Sequence, residues 1–244
     1  MRPGSGAATE GIMRTIGLIG GMSWESTVPY YQHINRSVGE RLGGLHSARL
    51  VLHSIDFHDL EILQHEGRWD EAGAMLAGAA GSLERAGADC VLICANTMHK
   101  VAPAVEAAVR IPLVHIADAT GEAVRRRGLR RVGLLGTKYT MEETFLRDRI
   151  SERFGLDVII PGAAARDTVH GVIYGELCRG ITSDASRAKY RQIVKDLEVA
   201  GAEGVILGCT EIGLLLKDED ADIPLFDTTR LHAEAAVDFA LQGS

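Results

Sequence analysis

No uninterrupted apolar run in the 244 residues approaches the roughly 18 that a bilayer-spanning helix needs, which excludes a membrane span of that kind. Cysteine is scarce, with four residues (Cys90, Cys94, Cys178 and Cys209) spread too thinly for a disulfide framework. No secretory signal is recognisable, so a reducing cytoplasm with free thiols is the expected location. There is no excess of basic charge: 26 Lys and Arg against 33 Asp and Glu leave a formal net charge of −7. That balance excludes a general electrostatic affinity for nucleic acid or anionic membrane.

Cofactor motifs are missing as well. Gly17-x-x-Gly20-Gly21 is not G-x-G-x-x-G, and Asp56 follows Gly20 by 36 positions, against about 20 in a dinucleotide fold. No G-x-x-x-x-G-K-[ST] is present, and the nine histidines include no H-E-x-x-H and accompany no paired C-x-x-C. No cofactor and no metal is therefore expected. His99 and His115, nearest the strand ends, are expected mainly as structural residues.

What is present is ordinary globular composition, 46% hydrophobic and 24% charged. Short β-branched or leucine-rich runs predict strands at 15–20, 49–55, 89–94, 113–116, 131–136, 156–160, 204–208 and 225–226. Helical patterns fill the gaps, the clearest at 69–85, 119–127, 141–154, 185–199 and 230–241, and Thr140-Met-Glu-Glu143 has capping-box spacing. This alternation predicts an α/β fold with mostly parallel sheet. Residues 1–12 are small, polar and aperiodic, and are expected to be a disordered leader.

No proline- or glycine-rich linker divides the chain, but an internal repeat does. Arg14-Thr-Ile-Gly-Leu-Ile-Gly20 resembles Arg130-Arg-Val-Gly-Leu-Leu-Gly136, 116 positions later. Residues 84–97 resemble 198–211 at an offset of 114, and Ile111-Pro-Leu113 resembles Ile223-Pro-Leu225 at 112. Three matches in one order predict two pseudo-symmetric parallel-sheet α/β domains with the active site in the cleft between them. The expected division is 13–117 plus 213–244 for the first domain and 118–212 for the second.

Ligands of parallel α/β sheets gather beyond the carboxyl ends of the strands. Four such ends carry small or hydroxyl residues: Gly20-Gly-Met-Ser, Ala95-Asn-Thr-Met-His, Gly136-Thr-Lys-Tyr-Thr and Cys209-Thr-Glu. Cys209 stands between a strand and a helix start, where donor N–H groups and the helix dipole would favour a thiolate. A buried structural cysteine is the equal alternative.

Gly20-Gly-Met-Ser-Trp-Glu-Ser-Thr27, Ala95-Asn-Thr-Met-His-Lys100 and Gly208-Cys-Thr-Glu-Ile212 together resemble the aspartate/glutamate racemase family, most of all its broad-specificity amino-acid racemase branch. The resemblance runs from about Met13 to Leu241. It implies cofactor-independent inversion of Cα in a free amino acid, by two acid/base residues on opposite faces of that carbon. It implies Cys209 as one acid/base. Asn96, Thr97, Met98 and Thr210 match positions that hold the substrate carboxylate, and Glu211 matches a position suited to the ammonium. Met22, Thr137 and Thr140, at the remaining strand ends, complete the expected substrate-binding set. A homodimer is a family expectation, and the only other partner expected is the amino-acid substrate.

One position departs from the family. The other acid/base residue, Cys or Thr in relatives, is Ala95 here, and the repeat places Ala95 opposite Cys209 at the same offset of 114. Alanine carries no proton. Three readings are open: a natural one-base enzyme using Cys209 and water, rescue by Cys94, or an engineered alanine that traps substrate. Alternation along a strand turns Cys94 toward the other face of the sheet, so rescue would need a bulge. Aspartate or glutamate is the first expectation for substrate, which calls for a cation, with Arg49 and Arg179 as candidates and Lys100 and Lys138 near strand ends. The alternatives are a related thiol-dependent isomerase of maleate or hydantoin type, or a catalytically impaired amino-acid-binding protein.

Overall fold

The computed structural model describes residues 13–242; the expected leader, 1–12, lies outside them. In chain order the elements are β1 (Ile16–Gly20), α1 (Trp24–Leu42), β2 (Leu50–Ser54), α2 (Phe57–His65), α3 (Trp69–Arg85), β3 (Cys90–Ile93), α4 (Ala102–Ala108), α5 (Ile116–Arg126), β4 (Arg131–Gly136), α6 (Lys138–Glu142) and α7 (Thr144–Phe154). Then come β5 (Asp157–Ile159), α8 (Ala163–Gly175), α9 (Asp184–Val199), β6 (Val205–Gly208), α10 (Ile212–Leu215), β7 (Leu225–Asp227) and α11 (Thr228–Leu241). Short 3-10 turns at Thr97–Val101 and Leu177–Arg179 matter for the site.

Two all-parallel sheets form, ordered β2-β1-β3 and β5-β4-β6-β7. A parallel bridge from Val91 to Leu113 gives the first sheet the counterpart of the Val205–Leu225 pair in the second. The two sheets thus repeat one strand order, as the sequence repeat predicts. The central strands β1, β3 and β6 are buried along their whole length, which is why they read as unbroken apolar runs rather than alternating ones.

The helix that follows each half covers the other half's sheet. Ile116, Ala117 and Val124 of α5 pack with Val132, Leu134 and Ile206 of the second sheet. Ala233, Ala236 and Val237 of α11 pack with Ile16, Leu18 and Leu92 of the first, and with Tyr30 and Ile34 of α1. The span 213–244, expected wholly on the first domain, is therefore divided: β7 pairs with β6, and α11 crosses back.

Three local expectations are corrected. The run 113–116 makes one bridge only, because His115 caps α5 by accepting from the Ala117 N–H. The expected helix 141–154 is two helices, and the cap is Thr137, whose hydroxyl accepts from the Thr140 N–H. Glu143 is drawn into an ion pair with Lys100 at 2.6 Å instead of completing a capping box. Among the described residues no helix is long and apolar enough to cross a membrane.

Candidate active site

The ends of β1, β3, β4 and β6 converge on one cleft. Gly21 makes the turn after β1, with φ of +90°, and a Cβ there would collide with the Ile55 carbonyl. That turn delivers Met22 to the cleft and Ser23 to the start of α1. At the end of β6, a Cβ on Gly208 would lie 2.8 Å from the Leu135 carbonyl, so glycine lets β4 and β6 close up and present Cys209.

Of the residues expected at the site, Met22, Ala95, Asn96, Thr97, Met98, Thr137, Cys209, Thr210 and Glu211 line this cleft. Thr140 is buried beside it and bonds the Thr97 and Thr137 hydroxyls, each at 3.2 Å; Thr97 and Thr137 are 2.9 Å apart. The three hydroxyls join the two halves and form a cluster of rotatable donors. The N–H groups of Thr97 and Met98 open a 3-10 turn and have no partner within it.

Glu211 is the electrostatic centre of the cleft. Its Oε1 accepts from the Ser23 N–H at 3.2 Å and the Ser23 hydroxyl at 2.9 Å; its Oε2 accepts from the Cys209 thiol and the Thr210 hydroxyl, both at 2.9 Å. Ser23 belongs to the first half and Glu211 to the second, so the carboxylate also ties the halves together. Four donors fill the lone-pair positions that a carboxylate offers.

Burial, and next the Glu211 carboxylate, push the Cys209 thiol well above its usual pKa. The expected stabilisation of thiolate by the helix dipole is thus outweighed, since α10 is only four residues long. Cys94 is fully buried on the opposite face of β3, among Tyr30, Ile34 and Ala233, and does not line the cleft. Strand alternation places it there, which removes rescue by Cys94.

Asn96 carries the single buried side-chain nitrogen or oxygen without a partner among the described residues, its Oδ1. Its orientation is fixed. The Thr228 hydroxyl donates to the Leu207 carbonyl at 2.7 Å, so it accepts from Asn96 Nδ2 at 2.9 Å and leaves the amide oxygen free. A buried acceptor left unpaired costs about 1–3 kcal/mol, so its retention at a cleft calls for a donor from the ligand.

The match to the Asp/Glu/Hydantoin racemase family model extends over residues 19–236. The chain belongs to that family. It is 53% identical to a candidate Asp/Glu racemase from Yersinia pestis, at a TM-score of 0.87 over 94% of this chain and all of that one. It is 35% identical to PH1733, an aspartate racemase homologue from Pyrococcus horikoshii OT3, at a TM-score of 0.79 over 93% and 99% of the two chains. A glutamate racemase from Shewanella oneidensis is 29% identical over 164 residues, 64% of this chain and 55% of that protein.

In this family member the expected cations are elsewhere. Arg49 is exposed just before β2, at the amino end of a parallel sheet whose cleft lies at the carboxyl end. Arg179 is exposed and outside the lining, although its neighbour Cys178 is part of it. Lys100 pairs with Glu143 and lies over the Trp69 ring at 3.8 Å, and Lys138 pairs with Asp167 at 2.5 Å. Sequence reasoning also misses Phe57, Gln64, Ile173, Tyr174 and Cys178, which reach the cleft from α2, α8 and the turn after α8. Glu211's partner Ser23 lies inside the Gly20–Thr27 motif, the one signal that points to it.

His99 and His115 are structural. His99 Nδ1 donates to the Ala95 carbonyl at 2.8 Å while its Nε2 accepts from the Ile116 N–H at 3.2 Å, which fixes the tautomer. His99 therefore braces the end of β3 against the start of α5.

Proposed function

We propose that this protein removes and returns the α-proton of a free amino acid, with Cys209 as its one acid/base side chain and without a cofactor. The observation that carries the reading is the Cys209 thiol donating to the Glu211 carboxylate at 2.9 Å inside a cleft built by both halves. The Glu211 carboxylate orients the sulfur; once the thiol proton has left to solvent, the thiolate takes the α-proton, breaking Cα–H and forming S–H. The electron pair delocalises into the substrate carboxylate, which the Thr97, Thr137 and Thr140 hydroxyls and the Thr97 and Met98 N–H groups are placed to hold.

Ala95 supplies no proton on its side. Return of the proton from Cys209 restores the starting antipode with its hydrogen exchanged. Inversion requires water to donate at the Ala95 side, and the resulting hydroxide is neutralised by the Cys209 thiol proton. Exchange is therefore faster than racemisation and is biased toward one antipode. Both halves of the chain contribute to this cleft, and neither Arg49 nor Arg179 lines it.

The test is α-proton exchange in D2O, followed by NMR from L- and D-amino acids separately, with chiral chromatography of the product. Exchange from one antipode, abolished by Cys209→Ala, supports the assignment. Equal exchange from both antipodes, or exchange that survives Cys209→Ala, overturns it.

A further inference from the structure

The cleft also bears on which amino acids enter it, a selectivity that rests on the acid/base role proposed for Cys209. Glu211 is the only charged side chain among the described residues that line the cleft, and it is 2% exposed. The polar groups present ask for a positive donor. Asn96 Oδ1 is an unpaired buried acceptor with its orientation fixed, and Glu211 adds a full negative charge nearby. The hydroxyl cluster and free N–H groups at the Thr97 end suit one carboxylate.

The rest of the wall is apolar. Phe57 and Tyr174 stack with centroids 6.4 Å apart and planes 17° apart, and Ile173, Cys178 and Met22 continue the surface. Gln64 supplies the one amide there. Its Oε1 accepts from the Tyr174 hydroxyl at 3.1 Å and its Nε2 donates to the Met98 sulfur at 3.0 Å, leaving the second Nε2 hydrogen without a protein acceptor.

Charge decides between substrate classes. A zwitterion with an uncharged side chain adds no net charge to a cleft that already holds one carboxylate. An acidic amino acid adds a second uncompensated anion in a site of low dielectric, where burial and mutual repulsion both oppose it. We propose that the cleft selects amino acids with uncharged over acidic side chains: Asn96 Oδ1 accepts from the ammonium and the Glu211 charge balances it, while Gln64 and the Phe57–Tyr174 wall meet the side chain.

Isosteres separate charge from size. The exchange assay is run on both antipodes of glutamine against glutamate and of asparagine against aspartate. The expected result is a kcat/KM at least about a hundredfold higher for each amide than for its acid. Exchange with the acids equal to or faster than with the amides overturns this inference and leaves the acid/base assignment of Cys209 standing. Exchange with no amino acid overturns the proposed function, and this inference with it. As a second measurement, Gln64→Lys should move the glutamate-to-glutamine ratio toward glutamate by about tenfold or more. An unchanged ratio removes Gln64 from the side-chain wall.

Discussion

Lowering the pH from 7.5 to 5.0 should strip several kcal/mol of stability from this protein through histidines packed behind the cleft. His99 stacks near His115 with ring centroids 4.4 Å apart, and near His232 at 5.8 Å. His232 in turn bonds the Tyr30 hydroxyl at 2.9 Å and the Val114 carbonyl at 2.7 Å. Burial is the main reason that all three are hard to protonate: His115 is lowered to about 3, His232 to about 4, and His99 well below its usual value. In the unfolded chain each returns to about 6.5. Between these values the unfolded state binds protons that the folded state does not, so stability falls as pH drops below about 6.5 and continues to fall toward the folded pKa values. Each histidine contributes about 1.4 kcal/mol per pH unit there, or about 2 kcal/mol from pH 7.5 to 5.0. His115 and His232 together account for about 4 kcal/mol, with His99 acting in the same direction. Carboxylates change protonation mostly below this interval. Urea unfolding followed by far-UV circular dichroism at several pH values measures the slope, and His232→Gln should reduce it by about 1.4 kcal/mol per pH unit. A free energy that changes by less than about 1 kcal/mol over the interval would mean that these imidazoles take up protons as readily in the fold as out of it.

Two further outcomes bear on the chemistry. Ala95→Cys places a thiol where none stands and should raise racemisation by about a hundredfold or more while exchange at the Cys209 face changes only a few-fold. Chiral chromatography reads this directly, and an unchanged rate of inversion would show that Ala95 does not face the reacting carbon. Because burial and Glu211 hold the Cys209 thiol above its ordinary value, kcat/KM for exchange should climb about tenfold per pH unit through neutrality, with no plateau below about pH 8.5. A plateau below about pH 8 would mean that a different group, or a thiol already ionised, removes the proton.

Much of this arrangement is legible in the residues. The strand–helix alternation and the three ordered repeats are carried by buried strands and tight strand ends, whose sequence is constrained from every side. The strand ends then point to the cleft, and Cys209, Asn96 and Glu211 follow from them. Arg49 lies away from the cleft for a reason already present in the topology: it opens a parallel strand, and only the far end faces ligand. Gln64, Tyr174 and Cys178 are less visible because helices α2 and α8 bring them over the cleft from the side. The glycines and β-branched residues of α8 give weak helical signal, and packing of Val169, Val172 and Ile173 decides its conformation. The orphaned oxygen of Asn96 depends on a chain of bonds through Thr228 to Leu207, which no spacing in the sequence announces.

The crossing of α5 and α11 sets how this protein can come apart. Neither half owns the helix that seals its sheet: residues before β4 would leave α5 without its core, and β4 onward would leave α11 without its own. Cleavage between the halves would expose apolar surface on both fragments. The chain is thus expected to melt in one transition despite its duplicated plan, and a nick in the 127–130 connection should yield fragments that stay together and refold only as a pair.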